Sequence, residues 1–191
     1  MTRRRRPTGV RGFVAAIGLA LLAATAAAAE TVPEPDGYRM LDFRAAVPAT
    51  LRGARVIDTP QAFAIWRDKA AVFVDVLPRP PRPAGLPPDA VWRDKPRFDI
   101  PGSVWLPETG YGELAPAALH YFESGLARAT AEDKSRPLVF YCLADCWMSW
   151  NAAKRALALG YSNVSWFSRG TDGWSAAGHP LEPRQPEPRL D

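Results

Sequence analysis

The chain has two cysteines, and they stand four positions apart in the run Tyr141-Cys142-Leu143-Ala144-Asp145-Cys146-Trp147-Met148-Ser149-Trp150-Asn151. Cys142 ends an apolar, strand-like segment and the residues after Cys146 read as a helix. Backbone N–H groups and the positive end of the helix dipole therefore converge near the Cys142 sulfur. That geometry favours a thiolate, the form that attacks disulfides and sulfur donors. Asp145 opposes it, and the loop holds no Lys, Arg or His to compensate. Three chemistries fit the pair. As a redox couple, Cys142 attacks and Cys146 resolves, forming a reversible disulfide across a small ring. As a sulfurtransferase, Cys142 carries persulfide and Cys146 is incidental. In the structural reading, the two are buried thiols or one static disulfide that staples the loop. No metal site is expected, because two thiolates and a distant His leave a zinc or copper shell incomplete.

Other residues could join such a site. Trp147 and Trp150, three apart, share a helix face and could stack on a flat quinone, although core packing is the commoner use of such a pair. His179 follows a Gly-Trp motif and reads as the end of a turn or, less readily, as a general base. His120 falls on an amphipathic helix and reads as solvated. Asp75, at the end of a buried strand, reads as an anchor for backbone groups.

The elements that must position these residues alternate. Short strands are expected at 55–57, 71–76, 103–106, 137–141 and 163–167. Helices are expected at 60–69, 115–129 and 147–159, with Thr59 and Pro60 as N-cap and first turn and Gly160 closing the last. This order implies an α/β fold with a parallel sheet covered on both faces, and such sheets form sites beyond the carboxyl ends of their strands. Residues 30–54 read as an extended arm, kept from helix by Pro33, Pro35 and Pro48 and with Tyr38, Met40, Leu41 and Phe43 free to dock. Residues 77–99 form a proline-rich insert of the kind that is functional or partly disordered. The tail, 184–191, reads as lacking order.

The N-terminus has its own logic. Arg3 to Arg6 precede an apolar run from about Phe13 to Ala24 and then alanines to Ala29. That is the order of a signal peptide over residues 1–29, and the apolar run is too short for a membrane anchor. Pro7 and Thr8 do not suit a twin-arginine signal. Of the chain's net charge of +4, five positives come from Arg3, Arg4, Arg5, Arg6 and Arg11, so the rest of the chain is close to neutral. A neutral body argues against nucleic acid, and cleavage of the signal would leave no membrane attachment.

Several motifs then fall in one register. Asp75 after Val72-Phe73-Val74, Ile100-Pro101-Gly102-Ser103, the strand-Cys142-loop-helix, Gly160-Tyr161-Ser162-Asn163-Val164, Gly170-Thr171-Asp172-Gly173-Trp174 and Gly178-His179-Pro180 together resemble a rhodanese domain over about residues 55–183. The resemblance implies a rhodanese-like fold. It places Cys142 at the position of the persulfide-carrying cysteine, and Leu143, Ala144, Asp145, Trp147 and Met148 in the loop that cradles substrate. Arg169 precedes a loop that in rhodaneses lies beside the active site, so it is a candidate for the cation the cradle lacks. The usual loop glycine and arginine are missing, with Asp145 and Trp147 near their places. About one extra residue lies between Cys142 and Gly160. Phosphatase and arsenate-reductase relatives have longer loops, but their closing arginine is absent too, which argues against phosphoryl chemistry.

A finer similarity runs through Tyr38-Arg39, Asp75-Val76-Leu77-Pro78, Trp105-Leu106-Pro107 and the segment from Asp145 to Arg155. It is to exported rhodanese-like proteins named for a cysteine-pair-tryptophan (CXXCW) motif and associated with pyrroloquinoline quinone (PQQ)-dependent alcohol catabolism. Here three residues, not two, separate the cysteines. The resemblance implies a periplasmic accessory protein of that oxidation, with Cys142 and Cys146 in thiol redox or cofactor handling. PQQ itself is at most an indirect link. The implied partners are a quinoprotein dehydrogenase or its cytochrome or transport partners. A non-catalytic binding module with a structural disulfide, and a persulfide sulfurtransferase, remain the alternatives.

Overall fold

In the computed structural model, residues 32–91 and 96–189 are described, together with Met1. The expected signal segment, its arginines included, lies outside the described residues. The elements in chain order are β1 (Arg55–Ile57), α1 (Thr59–Arg67), β2 (Val72–Asp75), β3 (Arg97–Asp99), β4 (Val104–Trp105), α2 (Pro116–Thr130), β5 (Leu138–Tyr141), α3 (Trp147–Ala158), β6 (Val164–Phe167), α4 (Gly170–Ala176) and β7 (Glu182–Arg184), with the apolar runs forming the buried strands of the main sheet. Five strands form a parallel sheet in the order β1-β6-β5-β2-β4, and β3 pairs antiparallel with β7 as a separate ribbon. The α/β reading is thus the observed fold.

The period of two along β5 divides the core. Leu138 and Phe140 point to one cluster, with Phe122 and Leu126 of α2 and Trp150 of α3. Val139 and Tyr141 point to the other, with Ala62 of α1 and Trp174 of α4. Both faces of the sheet are covered, which is why β5 is buried throughout. At α1 the cap sits one residue earlier than expected. Asp58 accepts from Gln61 N at 2.9 Å and the Gln61 side chain accepts from Asp58 N at 3.0 Å, a reciprocal box that places Thr59 inside the helix.

Helix α3 is buried almost all round, polar Ser149, Asn151 and Arg155 included. A helix loses its exposed stripe only when a second layer covers it. That layer is the arm. Asn151 accepts from Arg39 N and donates to Arg39 O, both at 2.9 Å, and also donates to Gly110 O at 3.0 Å. The Trp147 and Trp150 indoles donate to Ala46 O and Thr50 O. Lys154 donates to Pro35 O, and Arg39 and Lys154 lie over the Trp147 and Trp150 rings. Arg155, buried, donates to the carbonyls of Thr109, Tyr111 and Gly112 and stacks on Tyr38, 4.7 Å from the ring centre.

Asn151→Ala strips three hydrogen bonds from buried or half-buried backbone and costs about 2 kcal/mol. The expected signature is selective. Hydrogen exchange at the amides of residues 38–47 accelerates more than exchange in β5, because the arm opens locally before the sheet does.

The described part of the tail, read from sequence as without order, lies along the outer edge of β4. Glu187 N donates to Trp105 O, Tyr121 OH to Glu187 O, and Arg128 to Pro188 O. These bonds satisfy an edge that β4, only two residues long, leaves open. Among the described residues no helix is long and apolar enough to cross a membrane.

Candidate active site

Cys142 follows directly on β5 and Cys146 is the N-cap of α3, so strand end and helix start bring them together. They form a disulfide, with Cα atoms 6.5 Å apart. Relative exposures of 0% and 2% place both beneath the surface. The loop between them bulges outward, with Leu143 and Ala144 half-buried and Asp145 exposed in the left-handed region at φ 50°.

Its backbone is tied on both sides. Thr171 donates to Cys142 O from N at 3.0 Å and from Oγ1 at 3.3 Å, and Ala144 N donates to Asp172 Oδ2 at 3.0 Å. On the other side Arg44 bridges to Cys146, and Trp147 N donates to Phe43 O. A donor at the start of α3 that the sequence aims at the Cys142 sulfur is therefore occupied by the arm.

Ser149 was not among the sequence candidates, although its place three residues after Cys146 on the same helix is a usable signal. Its hydroxyl donates to Cys146 O at 3.1 Å and accepts from Trp166 Nε1 at 3.0 Å, and Cys142 Sγ lies 3.4 Å from it. One lone pair of that oxygen stays free for the Cys142 thiol once the disulfide is reduced. Among the described residues no cationic side chain contacts either sulfur, so the loop brings no side-chain charge to a thiolate there.

Trp147 and Trp150 are packed edge to face at 5.4 Å and covered by the arm, so neither offers a face to a quinone. Met148 is buried against Gly110. Arg169 is exposed, its stem resting on Gly173, and no contact joins it to the cysteines. His179 stacks on Phe63 with centroids 4.1 Å apart, an aromatic packing role, and His120 is exposed.

A second polar group, beside the loop, is carried by the proline insert. Arg97 Nε lies 2.6 Å from Asp75 and 2.9 Å from Asp99, both fully buried. Its single hydrogen goes to Asp75 Oδ2, which leaves the Asp99 oxygens without a hydrogen-bond donor. The other Asp75 oxygen accepts from Leu77 N, the backbone anchoring read from sequence. Arg97 also reaches Thr171 Oγ1 at 3.4 Å, so the insert touches the residue that holds the Cys142 carbonyl. Burial, and then the neighbouring Asp75, push Asp99 up to about 9.

Asp99 therefore keeps a proton at neutral pH that the unfolded chain has released near pH 4. Between those values the unfolded state binds fewer protons, and stability falls as pH rises. Asp99→Asn mimics the protonated form and removes this slope. Denaturation midpoints of the variant, relative to the parent, are expected to improve from pH 5 to pH 8.

Beyond the ends of β2 and β4, an opening of about 340 Å³ is lined by Leu77, Pro78, Trp105, Leu143, Thr171 and Asp172, among others. Among the described residues no cluster of His, Cys, Asp and Glu is arranged to hold a metal ion.

A family model described as a rhodanese-like domain matches residues 60–177. No curated protein matches the chain. Among solved structures, a protein from Anabaena sp. is similar at 21% identity, covering 66% of this chain and 79% of that one, with a TM-score of 0.44. A polysulfide-sulfur transferase homodimer from Wolinella succinogenes is similar at 15% identity, covering 70% and 81%, with a TM-score of 0.44. A Rhodopseudomonas palustris protein described as a possible tyrosine phosphatase is similar at 26% identity, covering 68% and 85%, with a TM-score of 0.41.

Proposed function

Because the chain belongs to the rhodanese-like domain family, we propose that it works by thiol–disulfide exchange at Cys142 and Cys146, as an exported accessory of PQQ-dependent alcohol oxidation in the periplasm. The observation that carries the chemistry is the disulfide itself, which joins the strand-end cysteine to the helix cap within one loop. A cation-free loop disfavours anionic sulfur donors. The setting rests on the signal-like residues 1–29 and on the similarity to the CXXCW-motif proteins. A quinoprotein dehydrogenase, or its cytochrome or transport partners, is the counterpart that setting supplies.

In the exchange, a partner thiolate attacks Cys142 Sγ, the S–S bond breaks, and Cys146 leaves as a thiolate that takes up a proton. A second thiol then resolves the mixed disulfide. Two thiols are oxidised and one protein disulfide becomes a dithiol.

Rapid alkylation of protein from its native compartment, with and without reduction, followed by masses of the cysteine peptides, tests this. The expected result is a Cys142–Cys146 disulfide that re-forms after reduction with an oxidising potential. Burial of both sulfurs favours a second reading, a binding module with a static staple, and a potential below about −300 mV would select it. Extra sulfur on Cys142 would instead establish persulfide chemistry. The Cys142→Ser, Cys146→Ser double variant loses about 2 kcal/mol of loop-closure stabilisation and stays folded. A strain carrying it is expected to fail in alcohol-dependent growth, and normal growth overturns the assignment.

A further inference from the structure

The opening of about 340 Å³ beyond β2 and β4 touches the cysteine loop at one side chain, Leu143, the residue that follows Cys142. Its remaining walls are mainly apolar and come from the proline insert and the sheet end, with Leu77, Pro78, Pro80 and Trp105 among them. The cation among its described lining residues, Arg97, is 12% exposed and committed to Asp75 and Asp99. Its exposed charge is the Asp172 carboxylate, fixed beside the loop by the Ala144 amide at 3.0 Å. A second exposed carboxylate, Asp145, sits three residues past Cys142; like the exposed Arg44 opposite Cys146 and Arg169 before the Gly170 turn, it lies outside the lining, so Asp172 is the exposed charge the opening itself presents. An apolar wall with a negative rim repels an anion and accepts an uncharged or positive group with hydrocarbon to bury.

Building on the exchange reading above, we propose that this opening is where the reducing partner enters. Its substrate class is a thiol carried on an apolar, uncharged or cationic group, and Asp172 is the specificity residue that turns anionic thiols away. The thiol sulfur approaches past Leu143 and attacks Cys142 Sγ. The bond to Cys146 breaks, Cys146 takes a proton from water, and a second thiol releases the first as a symmetrical disulfide.

The test uses the oxidised full-length protein and small thiols that differ in charge. Reduction by 2-mercaptoethanol, cysteamine and 2-mercaptoethanesulfonate is followed at low salt by quenching with iodoacetamide and weighing, with rates expressed per thiolate. The neutral and cationic reagents are expected to react about tenfold faster than the sulfonate, a gap that narrows in high salt. Asp172→Asn keeps an acceptor for Ala144 N, and the ratio of sulfonate to neutral rate is expected to rise several-fold. Ser175→Trp, at an exposed lining position, narrows the opening and is expected to slow benzyl mercaptan more than 2-mercaptoethanol.

Equal rates for all three charges, or a Ser175→Trp protein that treats the two neutral thiols alike, would overturn the entry site while leaving the exchange function intact. A disulfide that no thiol reduces removes the exchange reading as well.

Discussion

Arg97→Met lowers the stability of the fold by about 3–5 kcal/mol, the cost of leaving a buried charge without its partner. The guanidinium sits between Asp75 and Asp99, each with no exposed surface. Burial works against its charge, and the two carboxyls more than compensate, so its pKa is raised. Methionine fills the volume of the stem but donates nothing, so Asp75 Oδ2 loses the Arg97 Nε hydrogen bond and its charge partner. The contact from Arg97 to Thr171 goes too, which loosens the clamp on the Cys142 carbonyl. Urea denaturation at pH 7 measures the first effect. Adding Asp75→Asn to the variant removes the orphaned charge, so the double change is expected to cost clearly less than the sum of the singles. Additive costs would mean that the pair is not coupled, and that the insert is held by its backbone pairing with β7 instead.

How much of this was legible before the structure depends on whether the signal is local. Leu138 to Tyr141 is an unbroken apolar run ending at Cys142, and the residues from Trp147 onward carry good helix formers, so the strand–cysteine–helix unit is written in neighbouring residues. Helix α4 is not. Gly170, Thr171, Asp172 and Gly173 are poor helix formers, and the helix exists because Trp174 is buried on the sheet and Thr171 bonds to Cys142 O. The β3–β7 ribbon is equally silent, since Pro183 lies within one of its strands and the pairing spans more than eighty residues.

The arm shows the same division. Its apolar residues announce that it docks, but only the structure shows that it docks on α3 and covers Trp147 and Trp150, a partnership that rests on Asn151. Met40 and Leu41, which the sequence groups with the docking residues, stay exposed. The Asp75, Arg97 and Asp99 cluster joins a strand end to a proline insert more than twenty residues later. No periodicity links the two, so its electrostatics come from topology alone.

Gly170→Ala carries the site's geometry in one methyl group. Gly170 has φ +50°, a conformation that costs an L side chain about 1 kcal/mol. A Cβ there would overlap the Cys142 carbonyl and crowd the Leu143 backbone, and these are main-chain atoms that cannot rotate away. Either α4 lifts or the cysteine loop moves, and an overpacked contact of this kind adds roughly 2 kcal/mol more. The total, about 3 kcal/mol, is enough to be read directly in a denaturation midpoint.

The more informative consequence is local. Lifting α4 breaks the Thr171 bonds to Cys142 O and the Asp172 bond to Ala144 N, the ties that hold the loop from the side opposite the arm. With one side freed, the buried disulfide becomes accessible at a lower opening cost. Reduction by a small neutral thiol is expected to speed up several-fold in Gly170→Ala, well beyond any change in global unfolding rate at the same pH. A reduction rate that merely tracks global unfolding would show that the disulfide opens only with the whole fold, the behaviour of a staple and not of a working couple.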